Sequence, residues 1–308
     1  MTVQRAEFTE RTKCINCGSD KLSELSRGSF GQDPVRTYIQ NDPWGESPLP
    51  YIENDSWIFL RCDVCSQMFH KRILSPAWNE KRFSDWMNEE AMRRFEALNS
   101  AGDTVFQRVQ KEVTHILRLE KMTQKLRSNE PVRIMDFGCG WGEFLALGRF
   151  FGFCGLGIDR SEARRHGACI SSIFPDLESL KKSPEAAKGV HAVTMFEVLE
   201  HLDDPLETLL SIREVLVPQG VLVLETPNCT GVTNIKTVED FHTINPIDHI
   251  NCFTPETLRS MAARAGFRPV MPAITHVTFD FVPVVKNEIK RWIGGFLPPS
   301  TRQYFRKF

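Results

Sequence analysis

The stretch Val132-Arg133-Ile134-Met135-Asp136-Phe137-Gly138-Cys139-Gly140-Trp141-Gly142-Glu143 decides how this chain is read. Its short apolar run predicts a buried strand, three glycines follow at Gly-x-Gly-x-Gly spacing, and Glu143 opens a helix. Glycines at such a turn let the backbone bend sharply and approach a ligand with no Cβ in the way. The next apolar run ends Gly155-Leu156-Gly157-Ile158-Asp159. A carboxylate at that strand end can accept both hydroxyls of a ribose.

Two details separate a dinucleotide from a different nucleoside ligand. A pyrophosphate site asks for Gly-x-Gly-x-x-Gly, which is not the spacing here. Asp136 also ends its strand where it would repel a pyrophosphate. S-adenosylmethionine carries an ammonium and a sulfonium, both of which that carboxylate favours.

The glycine loop resembles motif I of class I S-adenosylmethionine-dependent methyltransferases, and Asp159 resembles their ribose-binding acidic residue. The similarity runs from about Val132 to Val270. It includes Glu197-Val-Leu-Glu200-His201-Leu-Asp-Asp-Pro205 and Val217-Pro-Gln-Gly-Val-Leu-Val-Leu-Glu-Thr-Pro-Asn228. The resemblance implies an α/β fold: a Rossmann-like sheet with helices on both faces. It assigns cofactor contacts to Asp136, Gly138, Cys139, Gly140, Gly142, Asp159, Arg160, Phe196 and Glu197. The helix after Asp159 is shorter than the family pattern, which leaves the adenine contact open, with Asp176 as one candidate.

Outward from the loop, apolar runs alternate with amphipathic stretches, the pattern of βα units on a parallel sheet. Strands are predicted at 132–136, 154–158, about 169–174, 190–196 and 221–225, with a final hairpin at 267–271 and 274–283. Helices are predicted at 142–150, 161–166, 204–216 and 255–265. The last is capped by Thr254, begins at Pro255 and stops at Gly266. Residues 76–127 read as helical. The domain plan is therefore a cysteine module over 1–74, a helical connector over 75–130, a catalytic domain over 131–285 and a basic tail over 286–308.

Glu200 and His201 follow the fourth predicted strand, at the sheet end where open α/β folds bind ligands. His249 lies in Asp248-His249-Ile-Asn-Cys-Phe-Thr-Pro255, a segment that in related methyltransferases returns over the active site. His249 is the first candidate for a general base, with His201 second and Glu200 beside them. A base would add about 10²–10⁴-fold to transfer onto a hydroxyl. Either histidine can instead simply organise a turn. Glu197, Glu200, His201 and His249 also resemble the metal ligands of small-RNA 2′-O-methyltransferases, and such a set would suit Mn, Zn or Fe.

Nine cysteines are present, four of them as the pairs Cys14/Cys17 and Cys62/Cys65. Two Cys-x-x-Cys pairs supply four thiolates for one structural zinc ion. Gly18 after the first pair permits the positive φ such knuckles require, whereas Ser66 stands in its place after the second. So short and turn-rich a module is expected to bury little core and to depend on its metal. Tyr38, Trp44, Tyr51 and Trp57 between the pairs either shape a substrate lid or pack the module. The tail, with Lys286, Lys290, Arg291, Trp292, Phe296, Arg302, Tyr304, Phe305, Arg306 and Lys307, reads first as a solvated amphipathic helix packed on the body and second as a basic surface for a polyanion, a membrane surface or an anionic substrate.

A net charge of −1 offers no general pull toward nucleic acid, so no nucleic-acid partner is expected. No apolar run approaches the roughly 18 residues of a membrane span, and no signal peptide is seen. The scattered free cysteines suit a reducing, cytoplasmic setting. The architecture resembles bacterial methyltransferases of sugar and polysaccharide pathways that begin with a Cys-x-x-Cys ribbon. It implies methyl transfer from S-adenosylmethionine to a hydroxyl, or less readily a carbon, of a small molecule such as a sugar or nucleotide-linked sugar. An RNA methyltransferase and a non-enzymatic donor-binding protein are the rival readings.

Overall fold

The structure is a computed structural model describing residues 4–100, 105–126, 130–170, 172–272, 275 and 301–308. The amino-terminal module runs β1 (Phe8–Glu10), β2 (Leu22–Ser29), α1 (Val35–Asn41), α2 (Leu49–Ile52), β3 (Ser56–Cys62), β4 (Met68–His70) and β5 (Arg72–Leu74). The connector holds α3 (Pro76–Lys81), a π-helical turn over Arg82–Trp86, α4 (Glu89–Ser100) and α5 (Val105–Thr123). There follow β6 (Arg133–Phe137), α6 (Glu143–Arg149), β7 (Cys154–Ile158), α7 (Glu162–His166), β8 (Ile173–Phe174), α8 (Leu177–Lys181) and β9 (Val190–Phe196). The chain continues with α9 (Pro205–Val215), β10 (Leu216–Glu225), β11 (Asn251–Cys252), α10 (Pro255–Arg264), β12 (Phe267–Val270) and β13 (Gln303–Lys307).

The central sheet has the order β12-β13-β10-β9-β6-β7-β8. Strands β10, β9, β6, β7 and β8 are mutually parallel, while β13 is antiparallel to both its neighbours. Alternate residues of the central strands feed two cores. Met135, Val193, Met195, Leu222 and Leu224 pack with Leu209 and Ile212 of α9 and Leu258 and Met261 of α10. Ile134, Ala192, Val221 and Val223 pack on the other face with Ile116 and Leu119 of α5 and Phe144 and Leu145 of α6. Burial on both faces is why these strands read as nearly unbroken apolar runs. Helix α10 starts with a reciprocal capping box between Thr254 and Thr257 and stops before Gly266 at φ +83°.

The tail departs from its expected form. Its described part is strand β13, inserted between β10 and β12, with Tyr304 and Phe305 buried on the two faces. Residues 286–300 lie outside the described residues; of the described basic residues, Arg302 pairs with Glu225, and Arg306 and Lys307 sit on helix ends. Arg306 donates to the Met122 carbonyl in the last turn of α5, and Lys307 to the Arg213 carbonyl near the end of α9, each 2.7 Å away. Unsatisfied carbonyls at the negative ends of two helices thus account for these last two charges. Among the described residues β13 is also the hairpin-side partner of β12; the expected partner at 274–283 lies outside them, apart from residue 275.

The amino-terminal module is not poor in core. Phe30, Trp57, Phe59, Trp78 and Trp86 share one cluster with Phe241, Ile244 and Ile247 from the excursion after β10. That borrowed surface was invisible to a count of the module's own residues. Trp57 is buried in this cluster, and Tyr38, Trp44 and Tyr51 pack against it, which favours packing over a lid for all four aromatics. Strand β11 pairs with β4 and extends the module's sheet to β11-β4-β3-β2. Arg11 closes the seam, donating to the carbonyls of His70 and Ile250 and to Asn251 Oδ1. Among the described residues no helix is long and apolar enough to cross a membrane.

Because the two halves share Phe241, Phe241→Ala is expected to cost about 3–5 kcal/mol. Urea unfolding followed by tryptophan fluorescence, dominated by Trp44 and Trp57 of the module and Trp78 and Trp86 of the connector, should then shift together with the far-ultraviolet dichroism of the whole chain. Two separated transitions would show that the cluster does not join the halves.

Candidate functional site

The parallel register brings the functional residues to one end of the sheet. Asp136 lies opposite Thr194 on β9 and Gly157 on β7, so Asp159, Phe196 and Glu197 all emerge just beyond it. Asp136 is buried and accepts one hydrogen bond from Thr194 Oγ1 at 2.5 Å. Burial, reinforced by the charges of Glu112 and Asp159, raises its carboxyl to about 7 against the opposing Thr194 bond.

The glycine loop takes the shape its spacing predicts. Gly138, Gly140 and Gly142 have φ of +80°, +56° and +78°, a region that disfavours every residue with a Cβ. At Gly138 a Cβ would also meet Val198 at 2.6 Å, whereas at Gly140 it would meet nothing within 4 Å. The face of Gly140 is therefore open space, as a ligand cradle requires. The Cys139 N–H bonds the Ile158 carbonyl, and its thiol packs on Gly157, where a Cβ would come within 2.6 Å of the sulfur.

Asp159 accepts from the Gly140 and Ser161 N–H groups, one on each oxygen, both at 2.9 Å. One lone pair per oxygen remains for other donors. Arg160 turns elsewhere: its guanidinium stacks on Phe83 at 4.9 Å and lies 3.2 Å from Glu80. Asp176 caps α8 by accepting from the Ser179 N–H. The Phe196 ring sits between His115 and Phe144 at the end of β9. Glu197 follows at φ +54°, a costly backbone for a non-glycine residue, of a kind that clusters at working sites.

Beyond Glu197 a second cluster forms. Glu200, His201 and His249 each place a ligand atom within 4.8 Å of the others. His201 Nδ1 lies 2.9 Å from Asp248 Oδ1, and His249 Nδ1 lies 3.3 Å from the Thr243 carbonyl. Both partners accept only, so each Nδ1 carries its proton and Nε2 is the ring nitrogen left for the cluster. His201 Nε2 is 3.9 Å from Glu200 Oε1, and the two imidazoles meet edge to face at 4.9 Å. Glu200 is 1% exposed, and among the described residues neither of its carboxylate oxygens has a hydrogen-bond partner. Burial and the adjacent Glu197 raise its carboxyl, and two acids side by side are reconciled by a shared proton or a cation.

The imidazoles are electrostatically unequal. Burial works against charge on His201, yet Asp248 and Glu200 outweigh it and lift the ring to about 9. Burial and the His201 charge push His249 down to about 4, leaving it neutral. Asp248 is held far below the ordinary carboxylate range; His201 and Arg82 overcome the burial that would raise it. Asp248 and Arg82 were missed by the sequence reading. The first is the neighbour of a residue singled out there, and the second lies 166 positions from its partner in a segment without a motif.

The four paired cysteines also converge. Cys14 and Cys65 sulfurs lie 3.5 Å apart, as do those of Cys17 and Cys62, and all four fall within 4.8 Å. That separation is too long for a disulfide and close to the edge of about 3.8 Å of a thiolate tetrahedron with bonds of about 2.3 Å. Backbone N–H groups of Asn16 and Cys17 point at Cys14 Sγ. Gly18 and Ser66 share the left-handed backbone, at φ +75° and +62°, so both knuckles turn alike despite the serine.

The family model described as a methyltransferase domain matches residues 105–271, more than half of the chain. The chain belongs to the methyltransferase domain family. Curated relatives of this methyltransferase domain include a ubiquinone biosynthesis O-methyltransferase of Actinobacillus pleuropneumoniae, 30% identical over 37% of this chain and 53% of that protein. The mitochondrial protein of the same name from Schizosaccharomyces pombe is 30% identical over 39% of this chain and 48% of its own length. The chain spans about half the length of the curated relatives it matches. The plantazolicin methyltransferase BpumL in complex with SAH is 16% identical, with a TM-score of 0.47, covering 74% of this chain and 93% of its own.

Asp136 makes a pH-dependent prediction for the ligand-free domain. The folded protein holds this proton up to about pH 7, while the unfolded chain loses it near the ordinary carboxylate value of 3.8, so stability falls as pH rises between those values. Asp136→Asn removes the penalty and should stabilise the protein at pH 8 by at most about 4 kcal/mol, with the advantage gone by about pH 4. Urea titrations at both pH values measure it; a destabilised variant at pH 8 would mean that the carboxylate is satisfied without a ligand.

Proposed function

We propose that the chain is an S-adenosylmethionine-dependent O-methyltransferase acting on a hydroxyl of a small molecule, with a sugar or nucleotide-linked sugar as the acceptor class. One observation carries the reading: a cradle with two buried carboxylates shares its sheet end with a cluster whose free imidazole and carboxylate atoms face one another. The O-methyltransferase names of the relatives support transfer to oxygen, and the sugar rests on the likeness to ribbon-bearing bacterial enzymes.

The residues fit the donor. Bound S-adenosylmethionine supplies a methyl group activated on a sulfonium. Asp136 offers its unbalanced charge to the amino end, Asp159 offers its remaining lone pairs to the ribose hydroxyls, and Gly140 leaves the space between them open. Arg160 and Asp176 are given no direct role, because their side chains are engaged with Glu80 and with the start of α8. Holding donor and acceptor in line supplies about 7–11 kcal/mol of the barrier reduction.

On the acceptor side, Glu200, His201 and His249 fit a divalent cation. Each Nδ1 is tied to an acceptor, the arrangement that orients metal-binding histidines, and the buried Glu200 oxygens are unmet. Such an ion would polarise the acceptor hydroxyl as a Lewis acid. A second reading is favoured by the low value of His249: without a cation, its neutral Nε2 takes the hydroxyl proton, while His201, charged through Asp248, cannot. At the other end of the chain, Cys14, Cys17, Cys62 and Cys65 would hold a zinc ion that braces the two knuckles and leaves no open position for chemistry. Thiolate ligation suits a reducing compartment such as the cytoplasm.

Gly140→Val should weaken S-adenosylmethionine binding at least about 100-fold, some 2.7 kcal/mol, in calorimetry of the folded variant. Glu200→Gln should leave donor binding within threefold and cut methyl incorporation from labelled donor, in a screen of extract metabolites and sugars, by about 10²–10⁴-fold. Stripping divalent ions under conditions that retain the cysteine-bound zinc separates the two acceptor-side readings. Lost turnover, restored by added Mn²⁺, supports the cation, and unchanged turnover leaves His249 as the base.

A further inference from the structure

We propose that Arg82 is a positioning residue: through Asp248 it locks His201 in the tautomer whose Nε2 faces Glu200, so that the amino-terminal half of the chain completes the acceptor-side cluster. The proposal rests on reading Glu200, His201 and His249 as that cluster. Arg82 is 2% exposed, a depth at which a guanidinium must be fully paired. Its Nη1 donates to Asp248 Oδ1, and its Nε donates to Asn79 Oδ1 at 3.0 Å, Asn79 being itself buried on α3. The same Asp248 Oδ1 accepts from His201 Nδ1 at 2.9 Å. One carboxylate oxygen therefore joins a fixed guanidinium to a working imidazole.

The geometry makes this more than an ion pair between halves. Asp248 lies in the loop between β10 and β11, without a strand or helix of its own to hold its side chain. Arg82 is set by a π-helical turn, the local irregularity that recurs where a helix must aim a side chain. The planar fork reaches Asn79 and Asp248 at once, which the single ammonium of a lysine does not reproduce. The turn also touches the donor side. The Phe83 ring lies under the Arg82 guanidinium at 4.3 Å and under that of Arg160 at 4.9 Å, one residue beyond the ribose-side carboxylate Asp159. A short stretch outside the matched family domain thus spans both halves of the cleft.

A purely structural salt bridge would, when cut, lower stability and leave His201 as it was. The test uses the full-length zinc-loaded chain with ¹⁵N-labelled histidine, His201 being assigned through His201→Gln. Long-range ¹H–¹⁵N spectra of the wild type at about pH 10, where the His201 ring is neutral, should show its proton on Nδ1, and calorimetry near neutral pH should show Co²⁺ binding beyond the cysteine site. In Arg82→Met the His201 signals should move to mixed tautomers and Co²⁺ affinity should fall at least tenfold, with S-adenosylmethionine affinity within twofold. Arg82→Lys should fall between the two. If Arg82→Met does not fold, Arg82→Gln, whose amide can still donate to Asn79 but falls short of Asp248, gives the same readout. A folded variant with the His201 spectrum and Co²⁺ affinity unchanged overturns the proposal while leaving the cluster intact. A wild-type His201 that is not protonated at Nδ1 overturns the cluster reading, and the proposal with it.

Discussion

A carboxylate buried at the end of the first strand of the sheet sets the terms for the rest of this structure. Asp136 has one strong partner, the Thr194 hydroxyl, and no cation among the groups that shift its titration. A charge so placed is costly in isolation and favourable beside a positive ligand. The surroundings keep that demand open. Strand β6 runs between two parallel neighbours, the loop beyond turns on glycines, and Asp159 is pinned by backbone N–H groups with lone pairs to spare. Each feature leaves room for a cationic nucleoside and none offers a substitute for it.

The second organising fact is that the halves of the chain are not independent. The excursion after β10 supplies Phe241, Ile244 and Ile247 to the amino-terminal core, lends β11 to its sheet and carries Asp248 and His249 back toward Glu200. The module is thus framed by its cysteines at one end and by the acceptor-side cluster at the other. Removing it would strip packing from the segment that delivers His249. This accounts for the depth at which Arg82 is held and for the four hydrogen bonds of the half-buried Arg11, since both cross the seam.

What could be read from sequence divides by the range of the interaction. The turn after β6, the acidic end of β7 and the Thr254-Pro255 start of α10 are local, decided within a few residues by backbone sterics and capping, and the structure places them where the pattern does. The convergence of Glu200, His201 and His249 could be anticipated because a parallel sheet sends such loops to one end. Three things were beyond reach. The pairing of β13 with β10 joins residues some 80 positions apart, and its basic character came from helix carbonyls that no one-dimensional pattern reveals. The module's core is completed by residues from 229–252. The Asn79–Arg82–Asp248–His201 chain links segments with no shared motif.

The account stands or falls on which ligand lies over β6 and β7, and a crystal structure of the complex with S-adenosylmethionine addresses that without intermediaries. The donor's ammonium should lie within hydrogen-bonding distance of the Asp136 carboxylate, and both ribose hydroxyls should rest on Asp159. A cleft that stays empty at saturating donor, or one filled instead by a pyrophosphate-bearing nucleotide, would contradict it.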